Sequence, residues 1–134
     1  MEILFLCKSN RFRSKVAETI FKKLNKHKSI KVKSRGFLLD DKRPYVSKNV
    51  IKIMKKRGYD INGKSKLLKR EDSQEADIIV IVTNQVNKDF FRHPKGKVIK
   101  WAIKDCDESE TEKIKKIVDK IEKKVKNLIR TLNN

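Results

Sequence analysis

Near its start the chain reads Cys7-Lys8-Ser9-Asn10-Arg11-Phe12-Arg13-Ser14. A thiol, an arginine after five intervening residues and a serine next to that arginine are the ingredients of phosphate-ester chemistry. Only the thiolate of a cysteine attacks well, and an ordinary free thiol is mostly protonated at neutral pH. A sulfur placed just ahead of a helix feels the positive end of the helix dipole and can accept backbone N–H bonds. The same N–H groups, turned inward by a curled loop, make a nest for a tetrahedral oxyanion. Arg13 offers a planar fork that holds two phosphate oxygens at once. Ser14 can donate its hydroxyl proton to the sulfur and so help the sulfur depart in a second step. Asn10 tolerates left-handed backbone and can tie the loop with its side chain. Cys7 and Arg13 are therefore the candidate catalytic residues. Lys8, Ser9, Asn10, Arg11, Phe12 and Ser14 are the candidate substrate-binding ones.

This chemistry needs a strand before the cysteine and a helix after the arginine, and the sequence supplies both. Ile3 to Leu6 is a short apolar run that reads as a buried strand. From Ser14 the period changes, with Val16, Ala17, Ile20, Phe21 and Leu24 on one helical stripe. Ile30, Val32 and Ser34 alternate with lysines as a second strand ending at Gly36. Ser47 can cap a helix carrying Val50, Ile51 and Met54, which Gly58 would stop. Ala76 to Val82 has the apolar, β-branched character of a central parallel strand. Asn84 to Phe91 is expected as a short helix, Val98 to Ile103 as a fourth strand, and Glu110 to Leu132 as a long final helix. Alternating strands and helices predict an α/β domain: a four-stranded parallel sheet with helices on both faces. Ligands of such sheets sit at the carboxyl ends of the strands. Cys7 ends the first strand, and Asp105 and Asp107 lie just past the fourth, so residues far apart in sequence meet at one edge.

The 134 residues fit a single domain spanning residues 1–134. Charged residues make up 40% and the net charge is +19, a field that attracts phosphates, nucleic acid or anionic membranes. The lysines are spread along the chain, so the charge is read as a solvated surface, with no membrane partner and nucleic acid disfavoured. Cys7 and Cys106 are too few for a disulfide framework. The apolar start is too short for a signal peptide and carries Glu2, and no stretch approaches a membrane span. A cytoplasmic protein is expected. His27 and His93 read as surface residues without metal-ligand spacing, and Phe90 and Phe91 read as core.

The loop resembles that of the low-molecular-weight protein tyrosine phosphatases, whose signature is Cys-x5-Arg-Ser with Asn three after the cysteine. The resemblance runs over nearly the whole chain. Ser34-Arg35-Gly36 resembles the family's Ser-Ala-Gly, Arg57-Gly58-Tyr59-Asp60-Ile61 its Gly-Ile-Asp turn, and Trp101 to Asp105 its Trp-x3-Asp-Pro. The resemblance implies a two-step reaction without a cofactor. Cys7 would attack phosphorus, Arg13 and the loop amides would hold the developing charge, and Asp105 would protonate the leaving group and then activate water. Asp107 is the reserve acid, because Cys106 stands where the family has proline. Ser9 replaces a loop glycine, the usual tyrosines after the acid give way to Asp107-Glu108, and the pocket-walling segment from Leu38 to Tyr45 carries Asp40 and Asp41. The expected substrates are phosphotyrosine or related phosphomonoesters, on a protein or a small molecule, with phosphate or another oxyanion able to occupy the loop.

Two other functions fit parts of the pattern. Arsenate reductases of the same fold share the cysteine loop but relay oxidation through further cysteines, and only Cys106 is available here. A non-catalytic anion-binding or nucleic-acid-binding module would use the charge alone.

Overall fold

A strand that is apolar on both faces must be covered on both. In the computed structural model, which describes residues 1–61 and 63–133, the run Ile3–Leu6 is the centre of β1 (Glu2–Cys7). With β2 (Lys31–Gly36), β3 (Ile78–Ile81) and β4 (Lys97–Lys100) it forms one parallel sheet in the order β2-β1-β3-β4. The two most apolar strands, β1 and β3, are the central pair, as the demand for two-sided cover requires.

One face of the sheet packs on three helices, α1 (Arg13–Leu24), α2 (Lys48–Lys56) and α4 (Thr111–Leu132). Phe5 and Val80 meet Val16, Ile20 and Phe21 of α1, Met54 of α2, and Ile114, Val118, Ile121 and Val125 of α4. Each such side chain contributes about 1.5–3 kcal/mol by leaving water. The opposite face is thinner. Leu4, Leu6, Ile79 and Ile81 are covered there by Ala76 and by half-buried Phe37, Leu68, Val86 and Phe91. The one helix on this side, α3 (Arg70–Glu75), is held to the sheet by charge. Its buried Asp72 accepts a hydrogen bond from Arg35 Nε at 3.1 Å and lies 3.8 Å from Lys33 Nζ.

Several element ends differ from the sequence expectation. The fourth strand stops at Lys100, because Trp101 and Ile103 turn into the core instead of continuing the ladder. Asn84 to Phe91 forms only a 3₁₀ turn at Lys88–Phe90, and Phe90, expected in the core, is 57% exposed. The helix α3 was not expected, since Arg70-Glu71-Asp72-Ser73-Gln74-Glu75 has no apolar stripe. Ser47 precedes α2 but makes no side-chain capping bond. Gly58 does stop α2. It sits at φ 85°, with its N–H on Lys55 O and the Tyr59 N–H on Met54 O, the paired bonds of a Schellman ending. His27 and His93 are exposed, as expected. No helix among the described residues is long and apolar enough to cross a membrane.

Candidate active site

The chain leaves β1 toward β2 on one side and returns to β3 on the other. The carboxyl ends of β1 and β3 thus flank the point where strand order reverses, the usual crevice of open α/β sheets. Cys7 is the last residue of β1 and the loop 8–12 rises from there to α1. Gly36, at the end of β2, lets that loop lie close. A Cβ there would come within 2.9 Å of Ser9 C and 3.0 Å of Asn10 N, so no larger residue fits without moving the loop. Beyond Gly36 the chain stays beside the loop, with Phe37 N–H on Cys7 O at 3.1 Å and Leu38 N–H on Lys8 O at 2.8 Å.

The loop is held from behind by a chain of buried polar groups. Asn10 has φ 56°, the left-handed conformation that asparagine tolerates. Its Oδ1 accepts the Lys66 N–H at 2.9 Å, which fixes the orientation of the amide. Its Nδ2 then donates to Ser14 Oγ at 2.7 Å and to Ser34 Oγ at 3.0 Å. The Ser34 hydroxyl in turn donates to Glu18 Oε1 at 2.6 Å. Because Ser14 Oγ already accepts from Asn10, its proton is free for the Cys7 sulfur, 2.9 Å away. Asn10 and Ser14 therefore lie beneath the loop, whereas Lys8, Ser9, Arg11 and Phe12 line the cavity in front of it together with Cys7 and Arg13. The N–H groups of Ser9, Asn10, Arg11 and Phe12 find no acceptor among the described residues. A loop with that many free donors suits an oxyanion.

Arg13 is 2% exposed. Its Nη1 donates to Thr83 Oγ1 at 2.9 Å and to Ile103 O at 2.8 Å, both neutral acceptors just past β3 and β4. That fixes the plane of the guanidinium and leaves its Nε–Nη2 edge uncommitted among the described residues. The carboxylate nearest to it is Asp105, whose Oδ2 is 3.7 Å from Nη2. Apart from that long, half-exposed pairing the buried cation meets only neutral groups, so an anion entering the cavity would offset the cost of burying it.

The cavity holds about 430 Å³ and is walled by two further segments, Leu38–Arg43 and Asp105–Glu108. Asp105 is half-exposed, accepts the Cys106 N–H at 2.9 Å and faces Arg13. Asp107 also lines the cavity, but its Oδ1 is used by the N–H and hydroxyl of Ser109, at 2.9 and 2.6 Å, which hold its carboxyl below the usual range. Asp40 is tied up likewise. Desolvation works against it, yet hydrogen bonds from Arg43 and from the Lys42 and Arg43 N–H groups keep it low. Asp41 does not line the cavity. Of the acids named from the sequence, Asp105 is the one brought against Arg13. The Cys106 thiol is pushed up, first by burial and then by the neighbouring Asp105 charge.

The family model described as low molecular weight phosphotyrosine protein phosphatase matches residues 2–134. The chain belongs to that family. Among solved structures it is similar to the low molecular weight protein tyrosine phosphatase from T. tengcongensis, at 25% identity and a TM-score of 0.79, with 98% of this chain and 99% of that one covered. It also resembles the YwlE arginine phosphatase from Geobacillus stearothermophilus, at 20% identity and a TM-score of 0.81, covering 98% and 92%. An arsenate reductase from Archaeoglobus fulgidus aligns at 24% identity and a TM-score of 0.74, covering 95% and 98%. The sequence matches none of the curated proteins compared. The family and fold expected from the loop are thereby established, and the sheet shared with phosphatases and arsenate reductases is the one described above.

Sequence reasoning missed three groups at this site. Thr83 and the Ile103 carbonyl aim Arg13, and Glu108 ties the walls together. Glu108 accepts from Arg11 Nη1 at 3.0 Å and pairs with Arg43, while its own carbonyl accepts from Asn49 Nδ2 at 2.7 Å. Burial raises the Glu108 carboxyl, but hydrogen bonds from Arg11 and Ser47 and the charges of Arg11 and Arg43 outweigh it and hold it low. The only sequence signal was an acid at the position where the family has tyrosine.

Proposed function

We propose that the chain is a cysteine-dependent phosphatase acting on phosphotyrosine or related phosphomonoesters through a cysteinyl-phosphate intermediate. The observation that carries this reading is the buried Arg13, which lines the same cavity as Cys7 and has its Nη2 3.7 Å from Asp105. In the first step the Cys7 thiolate forms the S–P bond as the ester P–O bond breaks. Asp105 gives its proton to the departing oxygen. The loop N–H groups and Arg13 hold the charge on the equatorial oxygens. In the second step the Asp105 carboxylate takes a proton from water, the water oxygen bonds to phosphorus, and the S–P bond breaks. The Ser14 hydroxyl stabilises the returning thiolate. Protons and charges balance over the two steps without a cofactor. Such a thiol suits the reducing cytoplasm, the expected location.

Leu38, Leu39, Phe12 and Val50 give the cavity apolar walls that suit an aryl leaving group. Because the fold is shared with an arginine phosphatase, rates on phosphotyrosyl and phosphoarginyl peptides rank the substrates. Hydrolysis of p-nitrophenyl phosphate by purified protein tests the chemistry. Cys7→Ser should lose more than about 10³-fold in kcat, as removal of a nucleophile does. Arg13→Lys should also be severely impaired, since an ammonium cannot reproduce the fork. Full activity of Cys7→Ser would sink the mechanism.

Arsenate reduction is the second reading, because Cys106 lines the same cavity as Cys7. Its thiol is held in the protonated form, which makes it a poor relay. Arsenate should act as a competitive phosphate mimic, and sustained thioredoxin-coupled reduction would reverse the ranking.

A further inference from the structure

Beyond the pocket, past the wall that carries Leu38, the surface is apolar and basic at once. Leu38 lines the cavity and is 64% exposed. The next residue back, Phe37, meets Phe90 with ring centroids 5.1 Å apart, and Phe90 meets Phe91 at 5.0 Å. Phe37 and Phe91 are half-buried over Leu6 and Ile81, whereas Phe90 caps them and is 57% exposed. A large ring held out in water by two anchored rings leaves apolar area that a partner would cover. Between residues 84 and 100 there are five lysines and arginines against one acid, Asp89. Lys95 is matched by Asp77 at 3.2 Å. Lys88 and Arg92 are exposed and form no ion pair among the described residues.

We propose that Leu38, Phe37, Phe90 and Phe91, with Lys88 and Arg92, form a docking surface for an acidic segment of a phosphorylated protein substrate. The proposal rests on the phosphatase reading above. Two features select a polypeptide as the occupant. The surface is continuous with the pocket through Leu38 and Phe37, so a chain whose phosphate sits in the loop must run past one wall or another. Along this wall it finds apolar cover and unmatched cations, whereas the cations Arg11 and Arg43 at the Asp105–Glu108 wall are already paired with Glu108. The phenyl rings meet edge to face at 77°, which makes a compact knob and not the parallel faces on which successive bases stack. The occupant is therefore anionic and carries apolar side chains near the phosphorylated residue. Its contribution appears in kcat/KM of peptides and is absent for small esters.

The test compares kcat/KM for p-nitrophenyl phosphate and for a short acidic phosphotyrosyl peptide containing leucine or phenylalanine, in the wild type, Phe90→Ser and Arg92→Glu. Both positions are exposed and outside the catalytic machinery. Docking predicts that each variant hydrolyses the nitrophenyl ester as the wild type does. Each should lose about tenfold on the peptide, the scale of one good interface contact. The Arg92→Glu loss should shrink with added salt. Equal losses on both substrates, or none on the peptide, would overturn the docking surface. So would a wild type that turns over the peptide no better than the small ester. If Phe90→Ser instead abolishes binding of single-stranded RNA and spares peptide turnover, the surface belongs to nucleic acid and the proposal is wrong. If the wild type hydrolyses no phosphate ester at all, the phosphatase reading itself has failed, a result distinct from all of these.

Discussion

At the scale of single residues, the candidate site separates the groups that line the cavity from those that hold them. Ser14 is the clearest of the second kind. Its oxygen accepts from Asn10 and lies 2.9 Å from the Cys7 sulfur, so its proton is available to the thiolate. A hydrogen bond to a charged sulfur matters most when that sulfur must depart. Ser14→Ala should therefore slow breakdown of the phosphoenzyme more than its formation, by about 10- to 100-fold for one charge-assisted bond. Rapid mixing with p-nitrophenyl phosphate should reveal a burst of nitrophenol, and an unchanged steady state without one would count against the role. For the acid, the two aspartates differ by partner. Asp107 is locked by Ser109, and Asp105 faces Arg13. Asp105→Asn should slow phenyl phosphate far more than nitrophenyl phosphate, whose phenolate departs unaided, and should flatten the basic limb of the pH profile. If Asp107→Asn does this instead, the acid lies two positions on and Cys106, in place of proline, has shifted the register.

At the scale of elements, the segment between β4 and α4 has no regular structure, so something must hold Asp105 over the loop. Glu108 does this by pairing with Arg11 of the loop and Arg43 of the opposite wall. Both pairs are partly exposed, and such pairs are worth about 0–1 kcal/mol each. Glu108→Gln should then lower kcat roughly threefold to tenfold, with the deficit largest for poor leaving groups and wild-type activity drifting toward it as salt rises. A change confined to KM would mean that the clamp shapes binding alone. Between helices, Tyr59 donates to Glu122 Oε2 at 2.7 Å. Burial first, then this bond and the Glu122 charge, push the phenol up to about 12 from its ordinary 10.0. The fold thus prefers the protonated phenol. The stabilisation is complete below pH 10 and is lost as pH rises through about 12. Tyr59→Phe should cost about 1 kcal/mol in urea unfolding below that window. The difference from wild type should vanish at its upper end, and a constant difference would place the cost in packing.

At the scale of the molecule, charge dominates. With 36 basic and 17 acidic residues, the net +19 repels itself in the compact state. Raising ionic strength from about 0.01 M to about 0.15 M shortens the screening length from about 30 Å to about 8 Å. The Tm should therefore rise over this range, and KM for a phosphate dianion should rise with it as long-range attraction is lost. A Tm that falls instead would show that the ion pairs around Asp72 and Glu108 outweigh the repulsion.

The fold, and the loop at the centre of the candidate site, were legible because they depend on local pattern. The two-sided apolar runs of β1 and β3 require central strands. The stripe from Ile114 to Leu132 requires a helix with one buried face. The eight residues from Cys7 to Ser14 carry both the reactive groups and the turn that presents them. What could not be read were contacts made by chain segments that sequence holds apart. Nothing local says that Thr83 and the Ile103 carbonyl aim Arg13, that Glu108 joins two walls, or that Phe90 stands in water over two half-buried rings. Short α3 was invisible for the same reason, since its Asp72 is tied to the sheet by Arg35 and not by an apolar stripe. Periodicity reports which side of an element is buried, a property of the element itself. Which polar groups meet at the sheet's carboxyl edge depends on how four strands and their crossovers pack, and only the tertiary structure decides that.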